Sequence, residues 1–600
     1  MQQHRFNIPE KASISLVSAI RRQAKKLSPA AGPRLAGLEA ATLEPIQADD
    51  VIALLLRAKD ARATLEAANA LPGQPRIETL QNDLISAEVS VKAANQLLNL
   101  DTVARIQTKK LSALHLDQVN ADAGVTKPDV NPPARAFRET GDGVLLGIVD
   151  SGFDLSHPMF RDAAGKIRVE ALLDQTTGKE YTNADLEAGW GAGGARPGSD
   201  DNGHGTHVAS IAGGSAFRGF EGVAPGARFL LVRTDFLNTD KAVSWVFKKA
   251  GKTPCVVNLS LGHHWGAHDG SSLEEQLFES LVGPGRVIVA SAGNEREDRL
   301  HVGGLFVPSH AETVPFDVQF QPDGSPPTAA MTLWYPLSDD YAVTLVSPTG
   351  QAFEVPGKNR GESFETSEFS LDLARQVYQP GDLIQVEVKM AFSNLVPNLS
   401  KLLRGWQLRL SCRSASVGRL DGWMNNSGFA AFHAHPLVET ARTIGLPATS
   451  RGCLAVASHA SKTEWRNDSD DPQRDGRLMR GRSSPFSSLG PTRDGRWKPE
   501  ISAPGQYVTA ALADGSELSR LDQRAFRAQH LLTIEGTSMA APAVTGAVAL
   551  LLQKNGKLTP AQVTEALRAS ARHDEHTGTA AWTLAYGHGK LSIADALARV

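Results

Sequence analysis

Ser538 lies in a short run of small residues directly before a long apolar stretch, Met539 to Leu552. The small residues permit a tight turn, and the apolar stretch predicts a buried helix with the serine at its N-terminus. A serine hydroxyl is a weak nucleophile near neutral pH, so covalent catalysis needs a base, a group that orients the base, and donors for an oxyanion. The pattern predicts a nucleophilic Ser538, and the alternative is an ordinary N-cap serine.

Three upstream residues can supply these functions. Asp150 and Asn294 each end an apolar run that reads as a buried strand, and His204 stands between two glycines at the start of a predicted helix. In a parallel sheet covered by helices, functional groups gather beyond the carboxyl ends of the strands. The chain order aspartate, histidine, serine is one of the orders in which a catalytic triad occurs.

Taken together, these motifs resemble the subtilisin-like serine proteases, the subtilases. In that family the aspartate ends a strand and is followed by a small residue and glycine, as in Asp150-Ser151-Gly152, and the histidine is flanked by glycines, as His204 is. The match favours Asp150 over its neighbour Asp154. It also favours His204 over His207, for which we predict a structural role.

The resemblance implies a function for each of these residues. Ser538 would attack a peptide carbonyl, and His204 would take the proton and pass it to the leaving amine. Asp150 would orient His204, while the side-chain amide of Asn294 and the backbone N–H of Ser538 would stabilise the oxyanion. The chain is therefore expected to be a serine endopeptidase that acts on protein or peptide substrates.

Two further segments resemble those that line the pocket for the residue before the scissile bond. By this resemblance the backbone of the substrate would be added as a strand, and the alternative is that both segments are ordinary sheet edges. We also hypothesise that Glu295 lies at the rim of the pocket and favours a basic substrate side chain. The predicted substrate-binding residues are Ser260, Leu261, Gly262, Ala292 and Gly293.

Composition excludes several other classes of function. A net charge of −3 over 600 residues gives no electrostatic basis for binding nucleic acid or an acidic membrane. No apolar run is long enough to span a bilayer, and the first thirty residues lack a secretory signal, so we expect a cytoplasmic protein. Three cysteines, Cys255, Cys412 and Cys453, cannot form a full disulfide framework and are predicted to be buried thiols.

The predicted reaction requires no cofactor. Calcium commonly stabilises the family that the chain resembles, and Asp154, Asp200 and Asp201 could supply oxygen ligands. These residues lack the spacing of a dedicated calcium loop, and solvated turn carboxylates are the alternative. No metal site is assigned.

The order of elements predicts an α/β protein, a mostly parallel sheet flanked by helices, with two additional units. Residues 1–45 form a predicted helical arm, and the series β-α-β-β-α-β over 46–110 predicts a ferredoxin-like α+β unit. A proline-containing linker follows at 111–140, where any self-cleavage is expected. Short alternating strands predict a β-sandwich at 310–430, which divides the catalytic domain into 141–309 and 431–600.

The resemblance also gives the two additional units candidate functions. The ferredoxin-like unit resembles the inhibitory prodomains of subtilases, whose C-terminal tail occupies the cleft; the alternative is a generic α/β domain. The sandwich resembles the jelly-roll insertion of clostridial germination subtilases. Some relatives with such an insertion are catalytically silent, so the rival interpretation is a subtilase-fold binding protein that acts through its sandwich.

Overall fold

The protein is described here from a computed structural model. The structure describes residues 2–7, 51–71, 76–81, 83–108, 113–114, 122–123, 135–191, 196–218, 220–321, 324–378, 382–425, 429–466, 472–520 and 530–600.

A central sheet of eight strands forms the catalytic domain. Seven neighbouring strands are parallel and the last is antiparallel, which confirms the predicted mostly parallel sheet. In spatial order the strands are Ile501–Gln506, Cys453–Ala460, Arg286–Ser291, Cys255–Leu259, Leu145–Asp150, Arg228–Arg233, Val169–Asp174 and Lys179–Thr182.

Helices cover both faces of this sheet because its strands are apolar on both sides. In the middle strand, Leu146 and Ile148 face one cluster of buried side chains, whereas Leu145 and Val149 face another. The first face carries the helices His204–Gly213, Thr537–Lys554, Pro560–Ala569 and Ile593–Leu597, and the second carries Thr239–Ala250 and Leu273–Leu281.

Smaller elements complete the catalytic domain. A hairpin of Val508–Ala511 and Leu531–Ile534 leads into the helix that bears Ser538. The others are the helix Asn183–Gly191, the hairpin of Glu464–Arg466 with Pro472–Arg474, and single 3₁₀ turns at Pro158–Phe160 and Leu518–Arg520.

Residues 51–108 form a separate βαββαβ unit with a four-stranded antiparallel sheet. Its first and third strands lie in the middle, which is the ferredoxin-like order. Leu55 and Leu84 pack into the catalytic core beside the helix Leu273–Leu281. The elements are Val51–Ala58, Ala61–Asn69, Arg76–Gln81, Leu84–Ser90, Val91–Leu98 and Val103–Thr108.

The insertion is a sandwich of an eight-stranded and a five-stranded sheet around one aromatic-rich core. The larger sheet contains Gln2–Asn7, Arg360–Glu365, Phe369–Tyr378, Leu383–Phe392, Thr328–Pro336, Arg419–Met424, His301–Leu305 and Val438–Glu439. The smaller contains Ala352–Glu354, Asp340–Val346, Trp406–Ser414, Ala311–Val318 and Ala430–Phe432, and a short helix spans Leu399–Leu402.

Two features of the sandwich differ from the prediction. Its sheets begin at His301 and end at Glu439, so the unit is wider than 310–430. The predicted helical arm also needs correction, because Gln2–Asn7 is a strand that pairs antiparallel with Arg360–Glu365. The rest of that arm, residues 8–45, lies outside the described residues.

Two expectations from composition can be compared with the structure. Cys255, Cys412 and Cys453 are buried free thiols, as predicted. Among the described residues, no helix combines the length and apolar character needed to cross a membrane.

Candidate active site

Ser538 is the second residue of the helix Thr537–Lys554, whose first sixteen residues are buried. The hydroxyl donates a hydrogen bond of 3.1 Å to the carbonyl oxygen of Ser260. The first four N–H groups of a helix have no acceptor within the helix, and the N–H of Ser538 is one of these. Nucleophile and candidate oxyanion donor therefore belong to the same residue, at the positive end of a buried helix.

Asp150 and His204 form a direct contact. Nδ1 of His204 donates to Oδ1 of Asp150 at 2.5 Å, and neither side chain is exposed. Asp150 ends its strand and His204 begins its helix, so the pair joins the carboxyl end of the sheet to a helix N-terminus. With Nδ1 carrying the proton, the neutral ring presents Nε2 as a base.

The glycines around His204 are required by this close approach. A Cβ atom on Gly205 would lie 2.2 Å from the carbonyl oxygen of Gly152 and 3.0 Å from Cβ of Asp150. Gly203 has a φ of +103°, in the left-handed region that favours glycine. The motif recognised in the sequence thus reflects how near the helix must come to the aspartate.

Asp200 holds the start of the same helix. Oδ1 of Asp200 accepts from the N–H of Gly203, and Oδ2 accepts from the N–H and hydroxyl of Thr206. Ser151 donates its hydroxyl to Asp200 and accepts from the N–H of Gly205. Burial raises the pKa of Asp200, and these hydrogen bonds oppose the rise.

The three aspartates considered as calcium ligands have other partners. Asp200 caps the His204 helix, Asp201 pairs with Arg233 at 2.8 Å, and Asp154 accepts from the N–H and hydroxyl of Ser156. No cluster of three or more His, Cys, Asp or Glu side chains suited to a metal ion occurs in the part of the chain that the structure describes. The helix-capping role of Asp200 was missed from sequence, although its partners Gly203 and Thr206 follow it by only three and six residues.

Asn294 is fixed by Thr537, the residue before Ser538. Its Oδ1 accepts from the N–H of Thr537 at 2.9 Å and from the hydroxyl of Thr537 at 3.0 Å. Because both contacts use the oxygen, the amide Nδ2 is the group that can donate to a substrate. The N–H of Gly293 in turn donates to the Thr537 hydroxyl at 3.1 Å.

The two predicted substrate segments behave differently. Leu261–Gly262 pairs antiparallel with Ala113–Leu114, a segment that follows the ferredoxin-like unit. Ala292, by contrast, donates its N–H to Val456 and accepts at its carbonyl from Gly445. Since both backbone groups bond within the catalytic domain, Ala292 does not pair with a substrate strand as expected. The position of Ala292 and Gly293 in the lining of the pocket stays a prediction.

Ser260 links the strand predicted to bind substrate to the helix that bears Ser538. Its hydroxyl donates to the carbonyl oxygen of Ser538 at 2.6 Å and accepts from Nδ2 of Asn258 at 2.9 Å. Thr545, two turns along the helix, donates to Oδ1 of Asn258 at 2.9 Å. These buried contacts connect the strand to the helix at Ser538 and again two turns further along.

His207 and Glu295, for which the sequence predicted a structural role and a place at the pocket rim, are both buried. His207 is fully buried, its Nε2 is 3.1 Å from the carbonyl oxygen of Leu532, and burial lowers its pKa to about 3. Glu295 is only 4% exposed, so it does not lie on an open rim as hypothesised. Its carboxylate accepts from the hydroxyl of Ser488 at 3.1 Å and lies 3.7 Å from Nε2 of His264.

Comparison with families of known proteins identifies the chain. The description "Subtilase family" matches residues 141–333 and 425–589, which together make up more than half of the 600 residues. The chain belongs to the subtilase family. The interruption of the match between 333 and 425 falls within the sandwich.

Individual relatives of this subtilase are distant. The C5a peptidase of Streptococcus pyogenes serotype M18 (strain MGAS8232) is 24% identical over 559 residues, covering 83% of this chain and 44% of that protein. This subtilase therefore spans less than half the length of that relative. The serine protease AprX of Bacillus subtilis (strain 168) is 32% identical over 127 residues, 21% of this chain and 26% of AprX.

Among solved structures, the CspB protease of Clostridium perfringens has a similar fold. The TM-score is 0.62 at 24% identity, covering 76% of this chain and 93% of that one. At this level of identity the similarity shows a shared fold.

Proposed function

We propose that this subtilase is a serine endopeptidase in which Asp150, His204 and Ser538 form the catalytic triad. The observation that carries the proposal is the buried 2.5 Å contact between Nδ1 of His204 and Asp150. A histidine held in this way has its tautomer and orientation fixed, as a general base requires. Family membership makes peptide hydrolysis the reaction expected of that geometry.

In the first half of the proposed reaction, Oγ of Ser538 attacks the carbonyl carbon of the scissile peptide bond. Its proton passes to Nε2 of His204, and Asp150 stabilises the imidazolium that forms. The carbonyl oxygen becomes an oxyanion, to which Nδ2 of Asn294 and the N–H of Ser538 donate. The tetrahedral intermediate then collapses as the proton on Nε2 moves to the leaving amine.

In the second half, a water molecule attacks the acyl-enzyme formed on Ser538. His204 takes a proton from this water and returns it to Oγ of Ser538 when the ester bond breaks. The acid product leaves and the enzyme returns to its starting state. No step uses a cofactor, and a protein or peptide is the substrate.

We further propose that the ferredoxin-like unit acts as an intramolecular inhibitor. Supporting this, the segment that follows it, Ala113–Leu114, pairs with Leu261–Gly262, the strand predicted to bind substrate. A chain bound in this position competes with substrate for the same backbone groups. The side chains of Ser538 and His204 are also completely buried.

Side-chain contacts attach the unit to both of its neighbours. Nζ of Lys241 in the catalytic domain lies 2.7 Å from Oε1 of Glu88, and both side chains are about one-sixth exposed. On the other side, the guanidinium of Arg105 lies 4.1 Å from the ring of Tyr378 in the sandwich. Such contacts support a unit that binds between the two domains.

Two residues within the linker, Asp122 and Ala123, are attached to the catalytic domain. Asp122 accepts from Nε2 of His459 at 2.7 Å and from Arg572 at 2.9 Å, and Ala123 is buried in the main core. Burial would raise the pKa of Asp122, but the contacts with His459 and Arg572 outweigh this effect and lower it to about 2. Self-cleavage between Leu114 and Asp122 would therefore leave both new ends close to attachment points.

The complete burial of Ser538 and His204 also favours the rival function. A catalytically silent subtilase that binds a partner through its sandwich would need no open cleft. The cytoplasmic location stays a prediction under either interpretation, as does a reaction without a cofactor.

One experiment separates the two functions. The full chain and its Ser538→Ala variant are treated with a fluorophosphonate probe, and their intact masses are measured. The proposed function predicts labelling at Ser538, or self-cleavage between Leu114 and Asp122, in the parent protein only. If neither protein reacts, even after limited proteolysis removes the ferredoxin-like unit, the proposed protease function is refuted and the binding-protein function takes its place.

A further inference from the structure

A stack of three rings joins the sandwich to the catalytic domain. Trp423, on the sandwich strand Arg419–Met424, lies parallel to His268, with ring centroids 4.0 Å apart and an interplanar angle of 14°. His268 is in turn stacked on His264, at 5.1 Å and 18°. All three side chains are at most 3% exposed, so the rings form a continuous buried contact between two domains.

The histidine end of the stack reaches both segments around the active site. His264 is two residues beyond Gly262, which ends the strand that pairs with Ala113–Leu114. Its Nε2 lies 3.7 Å from the carboxylate of Glu295, the residue after Asn294. The imidazole of His264 therefore contacts the segment that carries Asn294. His264 itself lies two residues from the strand predicted to bind substrate.

The tryptophan end is held by contacts on both sides of the domain boundary. Nε1 of Trp423 donates to the carbonyl oxygen of Arg442, which follows the last sandwich strand, at 2.8 Å. Within the sandwich, the ring of Trp423 lies beside that of His301, with centroids 4.8 Å apart. Asp421, two residues earlier, is fully buried and accepts from Arg419 at 2.9 Å and from His301 at 3.2 Å. Burial alone would raise the pKa of Asp421, but these hydrogen bonds hold it well below its ordinary value.

The middle ring is fixed from the catalytic side. Nδ1 of His268 lies 2.8 Å from the carbonyl oxygen of Ile444, and the backbone carbonyl of His268 accepts from the N–H of Arg493 at 2.9 Å. Because its neighbours are rigid, a shift of Trp423 would be transmitted through His268 to His264. Densely packed interiors transmit such displacements.

We propose that Trp423, His268 and His264 are positioning residues through which the sandwich fixes the substrate strand relative to Asn294. This inference builds on the proposed function, since the position of these segments matters for catalysis only if the site is active. The sandwich then serves as a support for the active site, and its Asp421-Gly422-Trp423 segment supplies the contact.

Hydrogen exchange of the full chain tests the positioning directly and independently of activity. The variant is Trp423→Leu, and its matched control is Trp406→Leu. Trp406 is also fully buried in the sandwich, but its ring contacts are with Phe316, Phe369 and Phe392 in the sandwich core. Amides in residues 255–262 and 286–294 are expected to exchange about tenfold faster in Trp423→Leu than in Trp406→Leu.

Two results would overturn the proposal. One is equal exchange of these segments in both leucine variants. The other is a uniform increase that includes the remote helix Pro560–Ala569, which would mean that Trp423 only stabilises the fold. Should a leucine variant fail to fold, His268→Gln removes the middle ring while leaving the sandwich core intact. Faster exchange of residues 255–262 and 286–294 is again expected. Unchanged or uniformly faster exchange would again contradict the proposal.

Kinetics add a second readout that separates this inference from the proposed function. In Trp423→Leu, kcat/KM for a peptide is expected to fall about 10- to 100-fold, while Trp423→Phe, which keeps an aromatic face, restores most of it. An unreactive parent protein would refute the proposed function but would leave the exchange comparison decisive. A reactive parent with unchanged kinetics in Trp423→Leu would refute the positioning role alone.

Discussion

Thr537 donates both its backbone N–H and its hydroxyl to Oδ1 of Asn294, at 2.9 and 3.0 Å. The amide is therefore oriented by the residue next to the nucleophile. Any displacement of the helix N-terminus would move Ser538, the proposed nucleophile, and Asn294, the proposed oxyanion donor, together.

Substitution of Asn294 by alanine is expected to lower kcat by about 10²- to 10³-fold, the loss measured for such a donor in a subtilisin. KM should change little, because the donated hydrogen bond forms mainly in the transition state. Thr537→Val, which loses one of the two bonds to Oδ1, should cost about tenfold in kcat, and Thr537→Ser should restore it. Steady-state kcat and KM for a peptide substrate, measured on the parent and on each variant, test these expectations. An unchanged kcat in Asn294→Ala would contradict the role proposed for Asn294.

Gly205→Ala is expected to destabilise the protein by about 1–3 kcal/mol and to abolish most of its activity. The added Cβ would lie 2.2 Å from the carbonyl oxygen of Gly152, so the His204 helix must move away from Asp150. Gly283→Ala is the matched control, since a Cβ there has no heavy atom within 4 Å. Denaturant unfolding and peptide hydrolysis give the comparison, and equal behaviour of the two variants would be evidence against a close helix–strand contact.

Charge reversal at the contact between Lys241 and Glu88 is expected to release the ferredoxin-like unit. Lys241→Glu places two carboxylates in a half-buried contact and should weaken retention of the unit by about tenfold or more. The double variant Lys241→Glu with Glu88→Lys restores opposite charges and should recover retention. Copurification of the N-terminal fragment after self-cleavage measures this effect. Failure of the double variant to recover would show that the ion pair does not hold the unit.

Acid is expected to destabilise the protein below about pH 6.5. Burial lowers the pKa of His207 to about 3 and also lowers that of His268, so the unfolded chain takes up these protons first as pH falls. The contribution of each histidine is complete above the unfolded value near 6.5 and is lost below it, at about 1.4 kcal/mol per pH unit.

Thermal unfolding between pH 7 and 5 measures this slope. His207→Gln keeps a side-chain donor without a titrating group and should give a shallower slope than the parent protein. His573→Gln, at an exposed position, is the control and should leave the slope unchanged. A melting temperature that stays constant or rises as the pH falls to 5 would contradict the expectation.

The positions of the candidate site residues in the fold could be predicted because these residues stand at the ends of strongly apolar segments. Asp150 ends a fully buried strand, and Ser538 begins a helix buried over sixteen residues, so local pattern fixes their positions. The βαββαβ series of the ferredoxin-like unit could be predicted for a similar reason, since the apolar residues of its elements follow the spacing of a helix or a strand.

Contacts between distant parts of the chain could not be predicted in this way. The use of both backbone groups of Ala292 depends on Gly445, which lies on the other side of the insertion. The hydrogen bond from the hydroxyl of Ser151 to Asp200 likewise joins residues 49 positions apart. The strand Gln2–Asn7 was missed because strand pattern in six residues is weak when the partner lies more than 350 positions away.

The pairing of Gln2–Asn7 with Arg360–Glu365 has a consequence for how the protein is made. Gln2–Asn7 is an edge strand of a sheet whose other strands are synthesised about 300 or more residues later. Loop closure over such a separation is entropically costly and slow, so this pairing is expected to form late in folding. The N-terminal strand thus closes a sheet that the rest of the chain must assemble first.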